Sequence, residues 1–376
     1  SVDNRDDLQW QTGALGAEKL RKGWELLSRL RKRFSPGSLA QAGQGKWYGG
    51  EPLPRWSLNS FWRLDGEPVW MNESLLADPS VPGKTPPNAA RALLTKLAQD
   101  LGLSPSRILP AFEDDGDVLP ATVTAPLAPP VTEVTTVSVP ERKKPGKKMK
   151  ETPAQPVGYV LPLNWSLAQE GWATELWRFE KGRLSLIEGD SPLGYRLALN
   201  DILKEKPLEP VPFARDPFDN LEPLPSYKRF ATVPPNENPE ARGAVRTAVC
   251  VQVREGKLHV FLPPLYQLEH FLELVAKVEA AAGALHLSVV LEGYEPPADS
   301  RLMSFRITPD PGVLEVNIHP AADWATLRDN TEIIYEEARQ IGLTAVKFTV
   351  NGRSVGTGGG SHLVLGAVRP DQSPFF

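Results

Sequence analysis

LMSFRITPDPGVLEVNIHP, residues 302–320, carries the clearest folding signal in the chain. Pro309-Asp310-Pro311-Gly312 carries a turn signature, and on both sides of it apolar and polar residues alternate with a period of two. The pattern predicts a β-hairpin of strands 302–308 and 313–319. In the second strand Glu315, Asn317 and His319 share one side while Val316 and Ile318 take the other. Three side chains able to meet a metal or a phosphate would then line one face.

Working outward, 244–253 and 258–262 read as a second hairpin across Arg254-Glu255-Gly256-Lys257, and 287–292 as a strand. Leu265, Leu268, Leu272, Val275 and Val278 mark one helix; Trp324, Leu327, Ile334, Ala338 and Ile341 mark another. Strands at 345–350 and 363–365 close the pattern. Nearer the start, Leu20, Trp24, Leu27, Leu30 and Phe34 predict an amphipathic helix ending at Ser35-Pro36-Gly37, with Arg29, Arg31, Lys32 and Arg33 as its solvated basic face. Residues 42–56, AGQGKWYGGEPLPRW, form either a binding loop or a connector packed through Trp47, Tyr48 and Trp56, and residue type favours packing. A short helix is expected at 87–102. Hairpins mixed with helices predict an α+β fold: a largely antiparallel sheet with one polar face, and helices packed on the apolar face.

The chain has 376 residues, enough for two substantial cores. The division expected is 1–116, a Pro/Thr/Lys-rich disordered insert at 117–157, and 158–376. A net charge of -4 disfavours nucleic acid as a partner. One cysteine, Cys250, excludes a disulfide framework and multi-cysteine zinc sites and fits a reducing cytoplasm. No apolar run approaches the roughly 20 residues of a membrane helix. Ser1 begins without an initiator Met and the chain stops at Ser373-Pro-Phe-Phe, which predicts a piece of a longer protein.

With the period of two applied to each strand, the polar sides collect Arg246, Cys250 and Gln252; Ser288 and Glu292; Ser304, Arg306 and Thr308; Glu315, Asn317 and His319; and Lys347, Thr349 and Asn351. A half-solvated antiparallel sheet would alternate in the same way. The residue types point further, because carboxylate and imidazole suit Mg²⁺ or Mn²⁺ while Arg and Lys suit phosphates. GTGGGSHLVLG, residues 356–366, adds a glycine run (Gly358, Gly359, Gly360) whose amides could wrap an anion beside His362. It is not a Walker loop, and neither a nucleophile elbow nor a dinucleotide fingerprint occurs. Metal-assisted phosphate chemistry is the reading that is left.

The runs GQGKWYGGEPLPRW, VGYVLPL, GDSPLGYRL, VLEGYEPP, TPDPGVLEVNIHPAADW, YEEAR and GTGGGSHLVLG resemble a bacterial family described as putative amidoligases, which usually forms the C-terminal part of transglutaminase-like proteins. The resemblance implies kinship with glutamine synthetase and glutamate–cysteine ligase, whose antiparallel sheet holds divalent ions and ATP on one face. It implies Glu315 as a metal ligand, Glu292 as a further ligand, and His362 as a metal or nucleotide contact. The implied reaction turns a small-molecule or peptide carboxylate into an acyl phosphate at the expense of ATP, and an amine then displaces the phosphate. Arg306, Lys347 or Arg246 would neutralise the charge that grows in transfer. Two departures stand out: Ser361 replaces the family's Asn, and the segment normally following SPF is absent. The transglutaminase-like part would lie upstream of Ser1, and the fragment is expected to depend on these missing segments.

Two other readings compete. One is a recognition module presenting peptides to that upstream domain through Trp47, Trp56 and Trp62. The other is a cysteine peptidase or transglutaminase, which would require a reactive Cys250 thiol.

Overall fold

A computed structural model describes residues 7–51, 54–113, 155–179, 182–188, 195–203, 207, 220–348, 351–356, 362–367 and 370–375. The expected insert, 117–157, lies outside the described residues except for 155–157. The chain begins with α1 (Ala17–Phe34), β1 (Leu39–Gln44), β2 (Trp56–Arg63), α2 (Ala89–Asp100) and β3 (Leu109–Glu113). β4 (Gly158–Pro162), the short pair β5 (Asn164–Ser166) and β6 (Gly171–Ala173), β7 (Leu184–Glu188), β8 (Tyr195–Leu197) and α3 (Tyr227–Ala231) follow. Then come β9 (Ala248–Arg254), β10 (Lys257–Leu262), α4 (Leu268–Ala284), β11 (Val289–Gly293), β12 (Leu302–Asp310), β13 (Val313–Asn317) and α5 (Trp324–Gln340). β14 (Val346–Phe348) and β15 (Ser354–Gly356) form a separate two-stranded sheet.

Eleven strands make one sheet in the order β13-β12-β2-β1-β11-β10-β9-β4-β3-β7-β8. All neighbours run antiparallel except β1–β11, β10–β11 and β3–β7. The α+β class and the largely antiparallel sheet are as the sequence predicts. Both expected hairpins form. In β9–β10 the turn residues Glu255 and Gly256 take positive φ of 48° and 69°, and in β12–β13 Gly312 takes 72° after Pro311. These are conformations that Gly, and a Pro-Gly pair, accept at low steric cost.

The helices cover both faces rather than one. On the first, Leu39, Phe61, Leu258, Val260 and Leu291 pack with Leu93, Leu94 and Leu97 of α2 and Phe271, Leu274 and Val275 of α4. On the second, Ala40, Leu58, Phe305 and Ile307 pack with Trp24, Leu26, Leu27 and Leu30 of α1, with Ile333, Ile334 and Ala338 of α5 alongside. Each fully buried Leu or Phe contributes about 1.5–3 kcal/mol relative to exposure, so both layers are needed to hold a sheet this wide. The basic residues of α1 are not simply solvated. Arg29 and Arg33 pair with Glu337 of α5, and Arg31 donates to Ser38 on the turn into β1. Among the described residues no helix is long and apolar enough to cross a membrane.

Candidate active site

On the α2/α4 face the character of the strands changes along their length. Core packing reaches Leu39 on β1, Phe61 on β2 and Leu302 on β12. Beyond these, the same sides of the same strands carry Gln41 and Gly43, then Asn59 and Ser57, then Arg306 and Thr308, and on β13 Asn317 and Glu315. The register places them in rows: Gln41 opposite Asn59, Asn59 opposite Arg306, Arg306 opposite Asn317, and Thr308 opposite Glu315. Residues directly opposite one another in antiparallel strands share a face, so four strands build one polar ladder.

Hydrogen bonds tie the ladder together. Ser57 Oγ donates to Asn59 Oδ1 at 2.6 Å, and Asn59 Nδ2 donates to Glu295 Oε1 at 3.0 Å. Arg306 Nη2 reaches the other oxygen of Glu295 at 3.1 Å. At the outer end Asn317 donates to Thr308 Oγ1 at 3.4 Å, Thr308 donates to Glu315 Oε2 at 3.3 Å, and Lys46 Nζ donates to the same Glu315 oxygen at 2.8 Å. The Glu315 carboxylate, through that hydrogen bond, holds the Lys46 ammonium above its ordinary pKa range. Glu315 and Arg306 are both partly open to solvent, with side chains 28% and 40% exposed.

Glycines make two of these placements possible. A Cβ on Gly43 would come within 2.7 Å of Asn59 Nδ2, so only glycine leaves room for the Asn59 side chain to lie across β1. Gly293 ends β11 with φ +100°, and a Cβ there would meet Leu262 O at 2.6 Å. The chain turns at Gly293 and brings Glu295 to Asn59 and Arg306, while Gln41 Nε2 secures the turn by donating to Tyr294 O at 2.8 Å.

The loop between β1 and β2 borders the ladder. Its base continues the strand pairing through Gly45 N–H to Arg55 O (2.7 Å) and Arg55 N–H to Lys46 O (2.9 Å). The Arg55 guanidinium pairs with Glu51 and Asp310, donates to Pro309 O and lies 4.4 Å from the centre of the Tyr48 ring. Burial alone would lower the Arg55 pKa, but the bonds to Glu51 and Asp310 outweigh it and raise the pKa. Packing through all three aromatics, the expectation from residue type, is corrected here. Trp56 sits partly buried against α1, whereas Trp47 and Tyr48 are 51% and 45% exposed because Arg55 holds the loop by polar contacts instead.

The predicted site residues separate. Glu315 and Arg306 share the ladder. Glu292 does not join them: Ala42 pairs with Glu292, and Ala42, Leu58, Ile307 and Val316 form the opposite side of these strands. There, among residues of β9, β10 and β11, Glu292 Oε2 accepts from Arg254 Nη2 at 2.5 Å and contacts His259 Nδ1 at 3.1 Å. Burial pushes the Glu292 pKa up, yet the His259 contact and the Arg254 charge outweigh it and leave it lowered. Cys250 and Gln252 face this second side too, so the expected single polar face is divided between two.

His319 is corrected as well. β13 ends at Asn317, and the His319 ring lies edge-on between Phe34 (5.0 Å) and Trp62 (5.1 Å), beside Asn330 of α5 at 3.1 Å. The chain crosses the edge of the sheet there to enter α5 on the other side, and burial lowers the His319 pKa. Arg246 precedes β9, six strands and roughly 29 Å across the sheet from β13, and donates to Leu199 O. Lys347 lies on β14, outside the large sheet. His362 is exposed in a segment without regular structure, where the predicted strand 363–365 is not formed. Gly358, Gly359 and Gly360 lie outside the described residues.

Gln41, Lys46, Ser57, Asn59 and Glu295 join the site beyond the residues that the sequence predicts. Asn59 has a sequence signal, a lone amide within the aromatic strand WSLNSFWR, and Glu295 follows a strand-ending glycine in LEGYE. Lys46 has none beyond its Gly-rich surroundings. At Cys250, desolvation together with the Glu292 charge pushes the thiol up to about 12, which disfavours the thiolate that a nucleophile needs.

The donor set of the ladder suits a hard cation carrying phosphates. It presents two carboxylates, the oxygens of Thr308, Asn59 and Asn317, and two cationic groups. Mg²⁺ commonly takes one or two protein carboxylates and completes its shell with water and substrate phosphates. Among the described residues no three His, Cys, Asp or Glu side chains gather into an all-protein metal cage.

No curated protein and no solved structure matches this chain. The sequence pattern of one family matches all of residues 1–376, and the chain belongs to that family, described as "putative amidoligase enzyme" (DUF2126).

Proposed function

We propose that the polar ladder is the catalytic centre of an ATP- and Mg²⁺-dependent carboxylate–amine ligase, with Mn²⁺ able to replace Mg²⁺. The observation that carries the reading is the row Arg306–Asn317 beside Thr308–Glu315, in which an accessible carboxylate and an accessible guanidinium stand two residues apart along one face. The membership of an amidoligase family supports it. So does the resemblance to ligases that use an open sheet face for divalent ions and nucleotide.

In this reading the substrate carboxylate attacks the γ-phosphorus of ATP and ADP leaves. The acyl phosphate is then attacked by an amine, which loses a proton as the amide forms and phosphate departs. A divalent ion, when bound, would neutralise the phosphates, and Glu315 would hold it. Arg306 would neutralise the equatorial oxygens of the transferring group. Glu295 holds Arg306 in place, and Asn59, itself fixed by Ser57, holds Glu295. No enzyme nucleophile is needed, in agreement with an inert Cys250. A single cysteine also accords with a reducing, cytoplasmic setting.

Calorimetric titration of the chain with ATP, with and without Mg²⁺, tests the proposal in wild type and Glu315→Ala. Binding that needs Mg²⁺ and disappears in the variant is expected. Metal-independent binding, or equal binding by both proteins, would move the centre away from this face.

The exposure of Trp47 and Tyr48 favours a second reading, a module that binds peptide substrates for an upstream transglutaminase-like domain. It no longer includes Trp56 and Trp62, which pack against the second core. Peptide binding indifferent to nucleotide and lost in Trp47→Ala would establish it.

A further inference from the structure

We propose that Lys46 is a mobile functional cation: it pairs with Glu315 and passes to a nucleotide phosphate when a metal–nucleotide complex enters. The inference rests on the ligase reading above and adds a residue and a movement to it.

Lys46 comes from the β1–β2 loop, 269 positions from Glu315 in sequence, and its ammonium sits 2.8 Å from Glu315 Oε2. The backbone at this point is fixed without the side chain. The ladder bonds between Gly45, Lys46 and Arg55 hold the loop base, and Arg55 ties it to Pro309 and Asp310 of β12. The Lys46 side chain, by contrast, is 50% exposed. An ion pair this open to water adds little to folding stability, so anchoring the loop does not account for it. Its flexible four-carbon stem lets the charge move while the backbone stays.

Among the described residues, that Glu315 oxygen otherwise accepts only from the neutral hydroxyl of Thr308. A divalent ion competes with an ammonium for the same carboxylate oxygen, and the ammonium, once displaced, remains within a side chain's length of the phosphates that such an ion carries. Arg306 cannot make the exchange as readily, because Glu295 is itself fastened to Asn59. The two cations of the ladder therefore divide the work: Arg306 is held, and Lys46 moves.

The test compares wild type with Lys46→Met in the full chain by calorimetry, first with Mn²⁺ alone and then with Mg²⁺–ATP. Removing the competing cation should tighten Mn²⁺ binding about two- to fivefold. Losing the charged phosphate contact should weaken Mg²⁺–ATP binding about tenfold or more. Unchanged Mn²⁺ affinity, or unchanged Mg²⁺–ATP affinity, overturns the exchange even if the other shift occurs. If wild type binds Mg²⁺–ATP through Glu315 while Lys46→Met behaves as wild type, the ligase reading stands and this inference falls. If wild type binds no nucleotide at all, both fall.

Discussion

Glu315 and Glu292 are both strand carboxylates held by a cation on one sheet, and they differ in almost everything else. Glu315 is paired with a half-exposed lysine from a loop, and its oxygens are within reach of solvent. Glu292 is 12% exposed and shares one oxygen between Arg254 of β9 and His259 of the neighbouring strand β10. A carboxylate fully engaged by neighbours in its own sheet holds strands together. One engaged by a movable side chain is available for exchange. Charge clustering alone identifies neither; the exposure of the partner, and whether it comes from a loop or from the sheet, distinguish them.

The comparison is broken most directly at Glu292. Glu292→Ala leaves Arg254 and His259 without their partner and should cost about 3 kcal/mol in urea unfolding, while native protein still binds Mg²⁺–ATP. Loss of nucleotide binding with unchanged stability would exchange the roles assigned to the two carboxylates. The lowered pKa of Glu292 adds a sign. Its contribution is present above the ordinary carboxylate range and is lost as pH falls through the folded pKa, so the variant should lose less stability on acidification than wild type.

Gly43→Ala should cost about 1–3 kcal/mol in thermal unfolding and also weaken nucleotide binding, because the new methyl displaces Asn59 and loosens Glu295 and Arg306 behind it. A cost in stability alone would mean that the inner part of the ladder does not support the site. Glu315→Gln should change stability by less than about 1 kcal/mol and abolish Mg²⁺-dependent binding, the reverse of Glu292→Ala. The smallest effect is expected at His319. Burial lowers its pKa, so stability is full above its unfolded pKa of about 6.5 and falls as pH drops from there toward the folded value. His319→Phe should flatten the melting temperature between about pH 7 and about pH 5; an unaltered slope would show that the ring is not buried in its neutral form.

Much of the fold was legible. The Pro-Gly and Glu-Gly turns, the alternation in 302–317 and 248–262, and the Leu and Val spacing of α1, α4 and α5 are local signals, and each produced the expected element. The candidate site was legible in part. Glu315 and Arg306 follow from alternation in one hairpin, whose register is set by its own turn. His319 did not follow, because alternation continues in the letters after the strand has ended. Glu295 and Lys46 did not follow either: both come from irregular segments whose direction depends on Gly293 and on the Arg55 contacts.

The elements, their hairpins, and which residues within each strand share a side are written in the local sequence, since those depend on backbone geometry over a few residues. Which sides of different strands coincide emerges only when the strands are assembled. β1 enters the sheet parallel to β11 in a register that matches Ala42 with Glu292, and this places Glu292 and Glu315 on opposite faces. A period of two carries no information across a junction between strands more than 200 residues apart, where register is set by packing α1 on one face and α4 on the other.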